Sequence, residues 1–158
     1  MTNYISYLDT FQSNGVIVFT TSNKDGETDS SVMCGLPTFY SNLSEAFLCV
    51  GYVDIVGTSI SSSTVSSNLG NDCGLSAAWC LVADAKGIRT AAHFTDNSYY
   101  YTETQGSSFA APMVSGMVIL LNQAFPNHTP EQITDRLLAS ANNSFFTPTA
   151  QATFTNGI

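Results

Sequence analysis

Apolar residues along the chain alternate between helical and strand-like spacing. Residues 4–13, YISYLDTFQS, place Ile5, Leu8 and Phe11 on one helical face. The Asn-Gly pair at 14–15 predicts the end of that helix. VIVFTT comes next and predicts a buried strand, followed by the polar loop SNKDGETDSS. A helix that runs into a buried strand favours an α/β fold with helices layered on a sheet.

The middle of the chain predicts more strands, separated by polar segments. These strands are AFLCVGYVD (46–54), WCLVAD (79–84), GIRTAAH (87–93) and YYYTE (99–103). The serine-rich stretch at 59–74 predicts a surface loop, and TDNS at 95–98 predicts a turn. The tail, 142–158, is interpreted as a loop with room for an edge strand.

Two helices are predicted after these strands. The first covers residues 108–125 by its length and apolar content, with Pro112 expected in its first turn. Before the second, Thr129 is predicted as the N-cap, with Pro130 at the first position and Gln132 completing a capping box. Its apolar stripe comprises Ile133, Leu137 and Leu138.

Composition narrows the classes of function. The 158 residues suit one domain or a piece of a larger one, and 44% hydrophobic residues are enough for a core. Only 10% are charged, and the net charge of −8 includes only four Lys and Arg, which argues against binding nucleic acid or anionic membranes. The N-terminus lacks the pattern of a signal peptide. Polar residues interrupt the longest apolar run, at 109–125, so it falls short of the ~20 residues of a membrane span.

The four cysteines, Cys34, Cys49, Cys73 and Cys80, favour disulfides over zinc, because they form no CxxC pair and have no histidine nearby. Three pairings are open. Cys73 with Cys80 is the most economical, followed by Cys34 with Cys49. Buried free thiols in a cytosolic protein remain the alternative.

Ser108 is the candidate nucleophile. It lies at the start of the 108–125 helix, after Gly106, where unpaired backbone N–H groups and the helix dipole favour a developing oxyanion. The simpler interpretation is an N-cap serine on a core helix, and spacing alone does not separate the two.

The segment GSSFAAPMVSG distinguishes them, because it resembles the nucleophile motif of subtilisin-like serine proteases, Gly-Thr-Ser-x-Ala-x-Pro-x-x-Ser-Gly. Matching positions are Gly106, Ser108, Ala110, Pro112, Ser115 and Gly116, while Ser107 stands where threonine is commoner. The resemblance implies that Ser108 is the nucleophile of an endopeptidase acting on polypeptides. It also implies a three-layer subtilisin-like α/β fold with a mostly parallel sheet.

A second segment, GVIVFTTSNKDG, resembles the strand and loop that carry the oxyanion asparagine of that family. The resemblance assigns this role to Asn23, with Ser22 in place of the usual glycine, and expects Thr20, Thr21 and Ser22 to line the substrate cleft. By itself, Asn23 would be an ordinary turn residue. The segment SSNLGNDCGLSAAWCLVADAKGI and the helix TPEQITDRLLASA also resemble the family.

The base expected of such a protease is missing from the pattern. Family motifs surround neither His93 nor His128. Subtilases run Asp, His, Ser along the chain, and the oxyanion asparagine falls between the last two. We therefore expect residues 1–158 to be the C-terminal half of a catalytic domain, inactive alone. The rest of the domain is then a candidate partner, and apolar surface should be exposed where it is absent.

Three points remain open. An α/β-hydrolase is the weaker enzyme alternative, because its acid and histidine follow the serine in an order that His128 and Asp135 do not match. A degenerate, non-catalytic subtilase-like module that binds partners or has a structural role is the other alternative. The family often binds structural calcium, but NKDGETD is more simply a solvated loop, so no metal or other cofactor is predicted.

The cysteines, and a particular likeness around Trp79 to autotransporter passenger domains, imply secretion or a bacterial cell surface.

Overall fold

The computed structural model describes residues 2–57, 64–68, 70–93 and 99–141. Helices and strands alternate in the first part of the chain, the later strands follow one another, and two helices come after them. The elements in chain order are α1 (Thr2–Gln12), β1 (Ile17–Thr20), α2 (Leu36–Phe39), β2 (Phe47–Val56), β3 (Thr64–Asn68), β4 (Cys80–Asp84), β5 (Ile88–His93), β6 (Tyr99–Thr104), α3 (Ser107–Ala124) and α4 (Pro130–Ser140). Short 3₁₀ turns cover Ser41–Leu43 and Gly74–Trp79.

The main sheet is built around β2. On one side β1 pairs with it in parallel, and on the other side β4 does the same. β3 pairs antiparallel with the far end of β2, beyond β1. The strands β5 and β6 form a separate antiparallel hairpin. The mostly parallel α/β sheet expected from the sequence is thus confirmed.

Alternating side chains of β2 face two hydrophobic clusters, as a strand covered on both faces requires. Leu48 and Val50 belong to a cluster with Ala110 and Val114 of α3 and with α4. Phe47 belongs to the opposite cluster, formed with α1, α2 and the first 3₁₀ turn. The result is three layers, with helices on both faces of the sheet.

Both disulfides of the cysteine pattern are present. Cys34 bonds to Cys49 near the start of β2, and Cys73 bonds to Cys80 at the start of β4. The open choice among three pairings is thereby resolved, and the free-thiol alternative is wrong. Trp79 adds a hydrogen bond from its Nε1 to the Cys34 carbonyl, at 2.9 Å.

The serine-rich stretch departs from the prediction. A surface loop was expected across 59–74, but residues 64–68 form β3, and a 3₁₀ turn begins at Gly74. The strand exists because its backbone completes hydrogen bonds of the long strand β2, and such tertiary pairing outweighs polar composition. The predicted turn at 95–98 and the tail at 142–158 lie outside the described residues.

The β5–β6 hairpin is inserted between β4 and α3. A backbone hydrogen bond from Gly106 N to Ala85 O, at 3.2 Å, closes its base. Ala85 is fully buried and also bonds to Val53 of β2. The end of β4 and the start of α3 therefore meet at the carboxyl edge of the parallel strands, where active sites of α/β sheets are usually built.

Helix boundaries agree with the predictions at α4. Thr129 accepts a hydrogen bond from Gln132 N, and the Gln132 side chain accepts one from Thr129 N, so the predicted capping box is confirmed. Ile133 and Leu137 are buried as expected. No helix in the four described ranges is both long and apolar enough to cross a membrane.

Candidate active site

Ser108 is the second residue of α3, and its side chain is exposed. A first-turn amide has no acceptor within its own helix. The Ser108 N–H and Oγ make no hydrogen bond within the described residues, while the neighbouring Phe109 N–H bonds to Gly106 O at 2.9 Å. The serine thus presents a hydroxyl and a backbone donor side by side at a helix N-terminus.

Pro112 lies one turn later than predicted. Because α3 begins at Ser107, Pro112 is in the second turn, inside the helix. A proline there has no N–H to donate to the carbonyl four residues earlier, which is that of Ser108. The expectation that Pro112 lies in the first turn, where a proline removes no helical hydrogen bond, is wrong.

Asn23 is brought directly against the start of α3. Its Oδ1 accepts two hydrogen bonds from Ser107, one from the backbone N and one from Oγ, both at 2.8 Å. Ser107 itself is buried. With Oδ1 occupied by two donors, the orientation of the amide is defined, and Nδ2 is the group left to donate to a ligand. The two predicted catalytic residues, 85 positions apart, therefore lie on either side of Ser107.

Gly106 makes this approach possible. Its φ of +147° belongs to a region that side-chain-bearing residues rarely adopt, and a Cβ placed on it would lie 3.0 Å from Asn23 Nδ2 and 3.1 Å from Oδ1. Glycine here serves both the turn into α3 and the contact with Asn23.

The predicted cleft residues differ in exposure. Thr20 and Ser22 are half-buried, but the Thr21 side chain is fully buried. Thr21 N bonds to Val50 O, and Thr21 O accepts from Ser31 N, each at 3.0 Å. The Thr20 carbonyl accepts the Ser31 hydroxyl at 2.7 Å. The Thr21 side chain thus packs beneath the loop, and Thr20 and Ser22 are the two of these three residues that are partly exposed.

A network of polar groups surrounds the Asn23 loop, which we define as residues 21–31. Lys24 pairs with Glu27, and this hydrogen-bonded ammonium lowers the pKa of the Glu27 carboxyl. Asn71, which the sequence pattern did not single out, is only 5% exposed and makes three hydrogen bonds to the loop. Its partners are 42 to 47 residues away in sequence, so no local pattern marks it.

His128 lies far from Ser108. It follows the end of α3, while Ser108 is the second residue of that helix, and a helix of 18 residues is about 27 Å long. His128 stacks on Phe125, with ring centroids 5.0 Å apart, and its Nε2 lies 3.2 Å from Arg136 Nη2. It cannot serve as the base for Ser108 in this arrangement, which also removes the α/β-hydrolase alternative. His93 ends β5, with its backbone paired to Tyr99.

Metal binding has no visible candidate in the described ranges, where no group of three or more His, Cys, Asp or Glu side chains is arranged to hold an ion.

Known proteins resemble this chain in sequence. The subtilase family model, Peptidase S8, matches residues 1–157. Serotype-specific antigen 1 of Mannheimia haemolytica is 29% identical over 132 residues, covering 82% of this chain and 13% of that protein. Subtilisin DY of Bacillus licheniformis is 25% identical over 136 residues, covering 86% of this chain and 43% of that protein.

Solved structures share the fold. The prenylagaramide maturation protease PagA superposes with a TM-score of 0.63 at 24% identity, covering 90% of this chain and 46% of that chain. Fervidolysin from Fervidobacterium pennivorans gives 0.55 at 23%, covering 85% and 20%. The chain spans less than half the length of these relatives. With the family model matched over nearly all its residues, the chain belongs to the subtilase family of serine proteases.

Proposed function

We propose that this chain supplies the nucleophile and the oxyanion hole of a serine endopeptidase, with Ser108 attacking the peptide carbonyl. The observation that carries the proposal is the pair of hydrogen bonds from Ser107 to Asn23 Oδ1. They leave Asn23 Nδ2 and the Ser108 N–H as two free donors beside one exposed hydroxyl. Two such donors stabilise the negative charge that a carbonyl oxygen gains during attack.

The chemistry follows from these groups. Ser108 Oγ bonds to the carbonyl carbon while a base takes its proton, and Asn23 and the Ser108 N–H bind the oxyanion. When the C–N bond breaks, the proton passes to the leaving amine, and water then hydrolyses the acyl-enzyme. Thr20 and Ser22 would contact the polypeptide beside the scissile bond, with Thr21 supporting them from below.

The base and its orienting acid would come from a polypeptide carrying the rest of the subtilase domain. Support comes from the outer face of α3, a helix with no charged residue that leaves four large apolar side chains exposed: Met113, Met117, Ile119 and Leu120. A helix that is apolar all round is normally buried. In addition, β1 pairs only with β2 among the described strands, so its other edge is available to a further strand.

A secreted or bacterial surface setting is part of the proposal. Two disulfides are typical of oxidising compartments. One similar protein, 27% identical over 135 residues, is named Neisserial autotransporter lipoprotein NalP, from Neisseria meningitidis serogroup B.

A phosphonate probe, which labels a serine only when a base activates it, tests the function. The isolated chain should remain unlabelled. Addition of a polypeptide with the Asp and His motifs should give both labelling and peptide hydrolysis. Ser108→Ala should abolish both, whereas Ser115→Ala, on the same helix, should leave both unchanged. Asn23→Ala should lower kcat by ~10²–10³-fold, the magnitude known for subtilisin, which belongs to the same family. Met117→Glu should prevent complementation, whereas Val56→Glu, another exposed apolar position, should not.

The second candidate is a degenerate, non-catalytic module. It is favoured by the position of His128 at the far end of α3. A completed domain that folds but leaves Ser108 unlabelled would support this candidate and overturn the protease.

A further inference from the structure

We propose that Asn71 is a positioning residue for the oxyanion donor, acting through the Asn23 loop. The inference rests on the proposed role of Asn23. Asn71 touches neither Ser107 nor Ser108 through any hydrogen bond in the described residues, so its effect on the site would be indirect.

Support from outside the loop is needed because, among the described residues, its backbone closes on itself only at its base, and its other internal contacts include the exposed Lys24–Glu27 pair and a 3.3 Å bond from Lys24 N to Ser22 Oγ. Residues 21 and 31 are joined there by the Ser31 N to Thr21 O bond, and the Ser31 hydroxyl bonds to the Thr20 carbonyl. Asn23 lies beyond this base, on the exposed part of the loop. Two hydrogen bonds from Ser107 hold the Asn23 amide against α3, and they persist only if the loop backbone that carries Asn23 is itself held in place.

Asn71 supplies these contacts from inside the loop. Its Oδ1 accepts the Lys24 N–H at 3.1 Å, one residue after Asn23. Its Nδ2 donates to the Asp29 carbonyl at 2.8 Å and to Glu27 Oε2 at 3.2 Å. One buried amide thus ties the two arms of the loop together, and its removal would break all three of these hydrogen bonds at once.

The segment around Asn71 is itself anchored to the loop. Asp72 N bonds to Glu27 O at 3.0 Å, and Leu75 N bonds to Asp29 Oδ1 at 2.9 Å. Close packing reinforces these bonds, because a Cβ on Gly70 would lie 2.7 Å from Ser22 O. The segment and the loop therefore move as one unit.

The Cys73–Cys80 disulfide joins that unit to the sheet. Cys80 is the first residue of β4 and lies in register with Cys49 of β2, which in turn bonds to Cys34 beyond the loop. The chain just after the loop is thereby linked covalently to β2, and the Asn71 segment, which is hydrogen-bonded to the loop, is linked covalently to β4. Oxyanion donors act within a few tenths of an ångström, and a displacement of about 1 Å can cost ~10²-fold in rate.

The test uses the isolated chain and NMR, so it does not depend on catalysis. In Asn71→Ala, the Lys24 amide loses its 3.1 Å bond to Asn71 and keeps only a 3.3 Å bond to Ser22 Oγ, so it should exchange with solvent about 5-fold faster. The decisive reporters are remote: the Ser107 amide, bonded to Asn23 Oδ1, should also exchange faster, and the Asn23 side-chain NH₂ resonances should shift. Asn42→Ala, at an exposed asparagine of the first 3₁₀ turn, is the matched control and should change neither.

If Asn71→Ala does not fold, Cys73→Ser/Cys80→Ser provides the second variant, with smaller changes expected at the same reporters. Faster exchange at Lys24 with unchanged Ser107 and Asn23 signals would overturn the inference, since Asn71 would then only shape the loop. Unchanged signals at all three positions would overturn it as well. Failure of Ser108 labelling in a completed domain would instead remove the proposed function and leave these exchange rates as they are.

Discussion

Replacing Gly106 by alanine should be among the most damaging small changes in this chain. The φ of +147° would strain an alanine by about 1–3 kcal/mol. Its Cβ would also press on the Asn23 amide, at 3.0 to 3.3 Å, and weaken the two hydrogen bonds from Ser107, each contributing about 1 kcal/mol. We expect a total loss of about 3 kcal/mol.

Urea unfolding of the isolated chain, followed by circular dichroism, measures this loss. With a slope of about 2 kcal/mol per molar urea, the midpoint should fall by about 1.5 M. Two glycines separate the causes. Gly87→Ala, with φ of +67° and nothing within 4 Å of the added Cβ, should show strain alone, about 1 kcal/mol. Gly116→Ala, in the middle of α3 with open space around it, should be stabilising by about 0.5–1 kcal/mol.

A Gly106→Ala variant no less stable than Gly87→Ala would refute the reasoning, because the contact with Asn23 would then contribute nothing. A variant that loses the full amount, yet keeps the Asn23 side-chain resonances of the parent, would also contradict it, since strain alone would then account for the loss.

Three further predictions concern stability. Thr129→Ala should cost about 1 kcal/mol in thermal unfolding by removing the capping box of α4, whereas Ser140→Ala at the other end of that helix should cost less. A disulfide restricts the unfolded chain more when it closes a longer loop, so the two disulfides should differ in their contribution to stability. Cys34→Ala/Cys49→Ala, with a sequence separation of 15, should lower the free energy of unfolding by about 3 kcal/mol, and Cys73→Ala/Cys80→Ala, with a separation of 7, by about 2 kcal/mol. Equal losses in urea titrations would contradict this dependence on loop length. Burial raises the pKa of the Asp135 carboxyl, because the folded protein favours its protonated form. Its favourable contribution to the free energy of unfolding is therefore present at low pH and is lost as the pH rises through the raised pKa. Asp135→Asn should therefore be more stable than the parent at pH 7, with the gap narrowing as pH falls toward the ordinary carboxyl pKa of ~3.9, and a gap that widens on acidification would reverse the assignment.

Local patterns in the sequence predicted most of the main elements. Short-range periodicity and capping signals are visible in the sequence alone. They predict the helix α1, the strands β1, β2 and β4 to β6, and the capped helix α4. The strand β3 was missed because its residues are mostly serine and threonine, and only pairing with β2 makes it a strand. Short turns such as α2 follow from tertiary packing of Leu36 and so left no periodic signal.

The site divides in the same way. Ser108 and Asn23 were predicted from a motif in which spacing within each segment is fixed, and their contact through Ser107 is what the structure adds. In the motif, Ser107 only stands where threonine is commoner, whereas in the structure its buried hydroxyl orients Asn23. No sequence pattern marks Asn71, because its hydrogen-bond partners lie in a loop that is distant in sequence and reaches it only in the folded chain.

The hydrogen bond between Gly106 and Ala85 has a consequence for how this chain could vary. Since that bond closes the base of the β5–β6 hairpin, β4 and α3 are joined directly, and Ile88 packs against the core beside them. Residues 89–103 can thus be shortened, lengthened or exchanged for an unrelated hairpin at little cost to the placement of Ser108. For protein engineering, this hairpin is therefore a suitable insertion site for binding loops or affinity tags close to the nucleophile.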